Sequence, residues 1–447
     1  MHRYQIFILI FLYLVLQTGT FAQNPVIRDQ FTADPSARVF NDKVYIFPSH
    51  DIPCTPERGR VGWFCMEDYH VFSSLDLTNW NDHGVLISQN KVIWVDSTSY
   101  SMWAPDCFYG KGKYYFYFPS RPKDTIYGKG FTVGVAISDN PEGPYIPQPG
   151  PIENVHGIDP NVFIDNDGQA YLYWSARKIF VARLKENMLE LGSEPQVIGN
   201  LPKEGLLEGP FLFERKGIYY LTYPHVENST EQIEYAIADN PHGPFQVKGV
   251  IMDELPSGCW TNQQSIIEFN NQWYLFYHNN DLSPAFDKNR SVCIDSLIFN
   301  VDGTIQKVIP TFRGVGLTEA YQKIQIDRYS KISKQGASIA FIDTLDTFEG
   351  WKTILELQNS WIQYNAVNFE NRKYKSVHIK ASSAMGGKLQ IRLDKIDGPL
   401  LCEVNIPKDI EWSIIQKRLV KCEPGIHNLV LMLSENNPVK IDWIEFE

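Results

Sequence analysis

Five aromatic-rich blocks recur along the first two-thirds of the chain: Val44-Tyr45-Ile46-Phe47, Tyr114-Tyr115-Phe116-Tyr117, Ala170-Tyr171-Leu172-Tyr173, Tyr219-Tyr220-Leu221-Thr222 and Trp273-Tyr274-Leu275-Phe276. The matching tyrosines Tyr45, Tyr115, Tyr171, Tyr220 and Tyr274 follow one another at 70, 56, 49 and 54 residues. A short way ahead of each block stands an acid or amide: Asp34-Pro35, Pro105-Asp106, Asp159-Pro160, Glu208-Gly209-Pro210 and Gln263-Gln264. A second repeat is sharper. Ala136-Ile-Ser-Asp-Asn-Pro-Glu-Gly-Pro-Tyr145 returns as Ala236-Ile-Ala-Asp-Asn-Pro-His-Gly-Pro-Phe245. Self-similarity of this kind marks a chain built from stacked or radial units. In a propeller the first strand of each unit lines the axis, so equivalent positions at its entrance converge on one small site. Here several of those positions are carboxylates.

Each block is followed by a further β-rich run: His70–Ser74, Thr132–Ala136, Lys178–Arg183, Ile233–Ile237 and Val292–Ser296. Turn residues then close each unit, as in Asp76-Leu-Thr-Asn79, Asp139-Asn-Pro-Glu-Gly143 and Asp239-Asn-Pro-His-Gly243. An all-β five-bladed propeller over residues 25–320 is therefore expected, closing its ring through its own fifth blade. A β-sandwich would not account for five matching units. A polar stretch from Tyr321 to Gly336 interrupts the pattern. Short alternating runs follow: Ser338–Ile342, Trp361–Tyr364, Ser376–Lys380, Lys388–Arg392, Leu429–Leu433 and Ile441–Phe446. They predict a jelly-roll-like β-sandwich over residues 330–447.

The chain opens with Met1-His-Arg-Tyr, the apolar run Ile6 to Leu16, and then Thr20-Phe21-Ala22. That is the pattern of a cleaved export signal over residues 1–22. The run is short against the roughly 20 residues of a spanning helix, so a secreted or periplasmic protein without membrane insertion is expected. Formal net charge is −11, a poor surface for nucleic acid or anionic lipid. A neutral partner fits better, and aromatics at 13% offer faces on which sugar C–H groups can stack. Seven cysteines show no CxxC pair; Cys54 with Cys65 and Cys402 with Cys422 are close enough in sequence for loop-closing disulfides. No HExxH, P-loop or GxSxG is present.

Asp34, Asp159 and Glu208 fall in units one, three and four, each beside proline or glycine. Cleaving a glycosidic bond takes two carboxyl groups in opposite protonation states. Glu208 lies among Leu206, Leu207, Pro210 and Phe211, and apolar surroundings raise a carboxyl pKa. Glu208 is thus read as general acid, Asp34 as general base, and Asp159 as the group that tunes and orients the acid.

The segments Thr32-Ala-Asp34-Pro-Ser, Trp103-Ala-Pro-Asp106, Gly157-Ile-Asp159-Pro-Asn161 and Leu207-Glu208-Gly-Pro-Phe211 together resemble glycoside hydrolase family 43. The resemblance spans about residues 28 to 318. It implies a five-bladed propeller enzyme acting on arabinose- and xylose-containing polysaccharides with inversion, with the same three roles for Asp34, Asp159 and Glu208. It further implies that His278 ligates an axial calcium ion or contacts it through water. Arg290 matches a family arginine that reaches the sugar in the deepest subsite. Trp103 and Trp260 are candidates for the aromatic wall. The C-terminal region resembles a family 6 carbohydrate-binding module through Ser360-Trp-Ile-Gln-Tyr364, Ile391-Arg-Leu-Asp394, Asp397-Gly-Pro-Leu400 and Ile441-Asp-Trp443; it either binds sugar or packs on the propeller. The expected activity is removal of terminal α-L-arabinofuranosyl groups. β-Xylosidase and galactofuranosidase activities are alternatives on the same scaffold, and a catalytically silent sugar-binding propeller is the alternative outside the enzymes.

Overall fold

The computed structural model of the protein describes residues 23–447 apart from Leu206 and Asn371. The segment 1–22 read as an export signal lies outside the described residues. Five small antiparallel sheets follow in chain order. Blade 1 comprises Phe31–Phe40, Lys43–Asp51, Asp68–Ser74 and Asn81–Ser88. Blade 2 comprises Asp106–Gly110, Lys113–Ser120, Thr132–Ser138 and Ile146–Pro147. Blade 3 runs through Ile158–Ile164, Ala170–Ser175, Ile179–Arg183 and Gln196–Val197, and blade 4 through Phe211–Arg215, Ile218–Val226, Glu231–Ala238 and Gln246–Met252. Blade 5 has three strands, Ser265–Phe269, Gln272–Asn279 and Ser291–Leu297.

The aromatic block is the second strand of every blade, and its position explains its composition. A blade is covered on both faces by its neighbours, so its middle strands lose the polar alternation of a half-exposed sheet. Tyr45 and Phe47 pack with Tyr114 and Phe116 of blade 2. Val44 and Ile46, on the opposite face, meet Phe276 and Ile294 of blade 5. Tyr115 and Tyr117 likewise pack with Leu172 of blade 3, and Tyr171 and Tyr173 with Leu221 of blade 4. The propeller core is thus divided into separate inter-blade layers, each side chain contributing about 1.5–3 kcal/mol of burial.

The ring does not close through the fifth blade alone. The inner strands of blades 1 and 5 touch, but the outer edge of Ser291–Leu297 is covered by the segment ahead of blade 1. Val26 N–H donates to Val292 O at 2.9 Å. The Asn24 amide donates to Ile294 O at 3.1 Å and accepts from Ile294 N–H at 2.8 Å. A bare strand edge would leave those backbone groups unpaired, and the N-terminal segment satisfies them.

The sandwich begins earlier than residue 330. Thr318–Glu319 pairs in parallel with Trp361–Asn368, and Ala320, Ile324 and Ile326 lie in the sandwich core with Leu389, Leu431 and Ile444. The polar stretch thus enters the second domain because its few apolar residues are buried there. One sheet also holds Lys331–Ile332, Gly387–Leu393, Leu400–Ile406 and Ile426–Leu433; the other holds Ala337–Phe341, Trp351–Leu355, Ser376–Ser383, Asp409–Arg418 and Val439–Phe446. Asp409–Arg418 was invisible to hydrophobic periodicity because it is an edge strand whose side chains are mostly exposed.

Arginines join the two domains. Arg328 stacks 3.7 Å from the Trp351 ring centroid and 4.8 Å from that of Phe312, with its Nε donating to Asp327 at 3.1 Å. Arg28, ahead of blade 1, lies 5.1 Å from the same Trp351 ring. Arg313 Nε donates to Asn365 O at 2.9 Å, and Phe31 packs on Phe348 at 4.8 Å. Trp351→Ala is therefore expected to cost about 3–5 kcal/mol and to lower the melting temperature clearly, while leaving turnover of small aryl glycosides at 25 °C near normal. An unchanged melting curve would show that this contact holds nothing together.

All seven cysteines are free thiols, so neither candidate pairing is formed. Cys402 is buried in the sandwich core with Cys422 only packed against it. The Cys54 and Cys65 thiols donate instead to Trp63 O at 3.2 Å and Arg58 O at 3.4 Å.

Candidate active site

The entrances of the inner strands share one local geometry. Asp34-Pro35-Ser36, Ala104-Pro105-Asp106, Asp159-Pro160-Asn161, Gly209-Pro210-Phe211 and Gln263-Gln264-Ser265 stand at equivalent places. Pro35, Pro105, Pro160, Pro210 and Gln264 line one axial cavity. Asp34 and Asp159 are both left-handed, at φ 46 and φ 56, a region that aspartate visits more readily than most residues. Beside each the ladder is irregular, between Ala33 and Ser36 and between Tyr173 and Ser175. Such bulges re-aim a side chain at a strand end. The serine of the neighbouring strand then fixes each acid: Ser49 Oγ donates to Asp34 Oδ2 at 2.7 Å, and Ser175 Oγ to Asp159 Oδ2 at 2.8 Å. Blade 4 carries Gly209 at φ 50 in the same place, and the acid moves back by one residue to Glu208.

Asp34, Asp159 and Glu208 line a single pocket, together with Trp103, Trp260 and Arg290. Six of the seven residues singled out from sequence therefore meet there. Their environments differ. Asp34 accepts from Arg290 at 2.8 Å as well as from Ser49. The Glu208 carboxyl is held well above its ordinary range, first by burial and then by the charge of Glu231, with Asp34 adding to the effect and Arg290 opposing it. Asp159 is also pushed well up, by burial and then by Glu208. Its Oδ2 additionally accepts from Gly209 N–H at 3.0 Å, tying blade 3 to the backbone next to Glu208. A buried carboxyl kept protonated can donate to a leaving oxygen, and a paired carboxylate can accept from water.

Arg290 is 2% exposed. Asp51 clamps it, accepting from Arg290 Nε and NH2 at 2.9 Å each and from its backbone N–H at 2.9 Å. NH1 is shared between Asp34 and Thr261 Oγ1. Most of its donors are thus spent on Asp51, which leaves NH1 to aim Asp34, and the guanidinium forms pocket wall 4.8 Å from the Phe64 ring. Trp103 stacks on Phe131 at 4.5 Å and meets Phe64 edge-on at 5.9 Å. Trp260 lies 6.5 Å from Phe64.

His278 does not line the pocket. It is fully buried and stands beneath Asp34: its Nδ1 accepts from Asp34 N–H at 3.1 Å, while Nε2 faces Thr261 O at 2.9 Å. Burial and the nearby Arg290 push its pKa down to about 3, so the ring is neutral and both nitrogens are engaged. Direct ligation of calcium by His278 does not fit this arrangement. The axial cavity has the volume of about one water, ≈ 10 Å³. Gln264 Oε1 is an oxygen on its wall without a partner, against the six to eight oxygens calcium takes. Asp106, which sequence placed at the same axis, lines this cavity too and accepts from Arg38 Nε at 3.1 Å and NH2 at 2.5 Å, Ser36 Oγ at 2.6 Å and Val162 N–H at 2.7 Å. Its lone pairs are filled, so it is a structural anion neutralised by Arg38.

Several residues of the pocket, and Asp51 that supports Arg290 behind it, were missed from sequence. Trp63, Phe64 and Met66 come from the loop between the second and third strands of blade 1, where no repeat flags them. Asp51 ends a strand and gives no local signal. Glu231 opens the third strand of blade 4 and is 1% exposed.

A propeller whose axis gathers three acids under an aromatic wall is the architecture of a glycoside hydrolase. Residues 22–305 match Glycosyl hydrolases family 43, and residues 335–447 match Carbohydrate binding module (family 6). The chain belongs to glycoside hydrolase family 43 and carries a family 6 module at its C-terminal end. Among its relatives, Xylosidase/arabinosidase 43A of Humicola insolens is 37% identical over 330 residues, covering 63% of this chain and 98% of that protein. The arabinoxylan arabinofuranohydrolase of Bacillus subtilis (strain 168) is 26% identical but spans both domains, covering 95% of this chain and 92% of that one. A solved GH43 β-xylosidase/α-arabinofuranosidase from a compost microbial metagenome, in a xylotriose complex described as calcium-free, superposes with a TM-score of 0.57. It is 33% identical, with 65% of this chain and 98% of that chain covered.

Proposed function

We propose that this enzyme is an exported, inverting exo-glycosidase that removes terminal α-L-arabinofuranosyl or β-xylosyl units from plant polysaccharides or their oligosaccharides. The observation that carries this reading is that Asp34, Asp159 and Glu208 line one pocket in unlike surroundings. Glu208 donates its proton to the leaving oxygen. Asp34, aimed by Arg290 and Ser49, takes a proton from water attacking the anomeric carbon on the opposite face, giving inversion. Asp159, fixed by Ser175 and by the Gly209 N–H, steadies the backbone beside the acid and so orients and tunes it. The apolar wall of Trp63, Phe64, Trp103 and Trp260 suits the C–H faces of one terminal sugar better than a polymer running through. The pentose class rests on relatives named for xylosidase and arabinosidase activity. A relative named as a β-D-galactofuranosidase, 30% identical, keeps that sugar in the test. Export rests on the pattern Met1–Ala22, and N-terminal sequencing of the mature protein should then begin near Gln23.

A panel of nitrophenyl glycosides tests the substrate class: α-L-arabinofuranoside or β-D-xyloside should be cleaved fastest. Cleavage of neither pentoside would overturn the reading, and a preference for the β-D-galactofuranoside would move it to that sugar. NMR of the first-formed anomer tests inversion, since a retained product requires a double displacement.

A further inference from the structure

The Glu208 carboxyl has a neighbour that the three-acid scheme does not use. Glu231, from the third strand of blade 4, lines the same pocket. Its backbone is pinned by a bond from its N–H to Trp260 O at 3.1 Å. Its Oε2 is pinned by Asn262 N–H at 2.7 Å. Its Oε1 is buried and receives no donor from any other described residue. The Glu208 carboxyl lies within hydrogen-bonding reach of this side chain. Among the described residues no lysine or arginine bonds Glu231; Arg290 is spent on Asp51 and Asp34. Two carboxyl groups that act on each other in one buried pocket resist being ionised together.

We propose that Glu231 and Glu208 form a proton-sharing carboxyl pair, in which Glu231 is the positioning residue that holds the acid's proton and aims its carboxyl. The arrangement uses each group. Asn262 N–H stabilises negative charge on Glu231 Oε2, which leaves the shared proton on the Glu208 side, where the leaving oxygen needs it. After donation Glu208 is an anion facing an anion, which favours its rapid reprotonation from water. Other charged or titratable groups act on the pair: Asp34 and Asp159 both favour protonation of Glu231, Asp34 does the same for Glu208, and Arg290 opposes it. The Cys259 thiol also lies close to Glu231. Burial raises the Glu231 carboxyl to about 7 while Glu208 is held well above its ordinary range, so on the alkaline side of neutrality the pair keeps one proton.

The inference rests on Glu208 being the acid, which a separate contrast between leaving groups decides (Discussion). In the full-length enzyme, Glu231→Gln replaces an anion that repels ionised Glu208 with an amide that can donate to it. The alkaline limb of kcat/KM on an unactivated disaccharide should then move down by about one pH unit. Activity should fall about tenfold above that limb and little below it, with KM nearly unchanged. An activated aryl glycoside should lose much less. Equal losses at all pH values, or a raised KM with the limb unmoved, would make Glu231 a structural or sugar-binding residue and overturn the proposal. Glu231→Asp, which keeps the carboxylate but withdraws it from Glu208, covers the case in which the amide does not fold. It should move the limb in the same direction by a smaller step, and an unmoved limb there overturns the proposal equally.

Discussion

Glu208→Gln should reduce cleavage of natural glycosidic linkages by about 10²–10⁴-fold, the usual contribution of a general acid. The amide is nearly isosteric and fits the same pocket, but it has no acidic proton to give. A dinitrophenyl leaving group departs without protonation, so its hydrolysis should fall by less than about tenfold. The contrast between the two substrates, measured as kcat/KM, is the diagnostic. If both fall by one factor, Glu208 is not the acid, and the Glu231 pair would have no catalytic proton to hold. The sign of the pH dependence follows from the same chemistry. Because burial and then Glu231 raise the Glu208 pKa, activity is present while that carboxyl keeps its proton. It is lost as pH rises through the folded-state value.

Loss of the base should look different. Asp34→Asn should fall by about 10³-fold or more on natural and activated substrates alike, since both need an activated water whatever their leaving group. Two consequences separate this from misfolding. The oxygen of the new amide can still accept from Arg290, its NH2 can donate to Ser49 Oγ, and Arg290 keeps its bonds to Asp51, so the melting temperature should move far less than when a buried charge is left wholly unpaired, where about 3–5 kcal/mol is lost. Added azide, a small anion able to occupy the position of the water, should restore turnover of the activated substrate and give a glycosyl azide of inverted configuration. Full activity of Asp34→Asn on the dinitrophenyl glycoside would remove Asp34 from the mechanism.

The five repeated units declared the propeller because each blade must bury both faces, and only a repeated aromatic strand does that. Asp34, Asp159 and Glu208 were legible for a related reason: a proline or glycine at the strand entrance marks where the backbone turns to aim a side chain at the axis. The same logic also pointed to Asp106, which has the right neighbours and the right distance from its tyrosine. Only the assembled ring brings Arg38, Ser36 and Val162 around it and fills its lone pairs. His278 shows the opposite limit. Its position was foreseen, but its role depends on which atoms meet its two nitrogens, and those come from Asp34 and Thr261, 244 and 17 residues away.

What the sequence determined by itself was everything periodic: the number of blades, the strands within them, the acids at their entrances and the family those motifs define. What the tertiary structure decided was every pairing between separate strands and segments. Asp51 clamps Arg290 over 239 residues of chain, Glu231 meets Glu208 across the turn of one blade, and the segment at Asn24 covers an edge 270 residues away. Periodicity is a local property, written into successive residues by the pitch of a strand. Electrostatic partnership in a buried site is not local: it depends on which surfaces the closed ring brings to one axis, and no spacing along the chain encodes that.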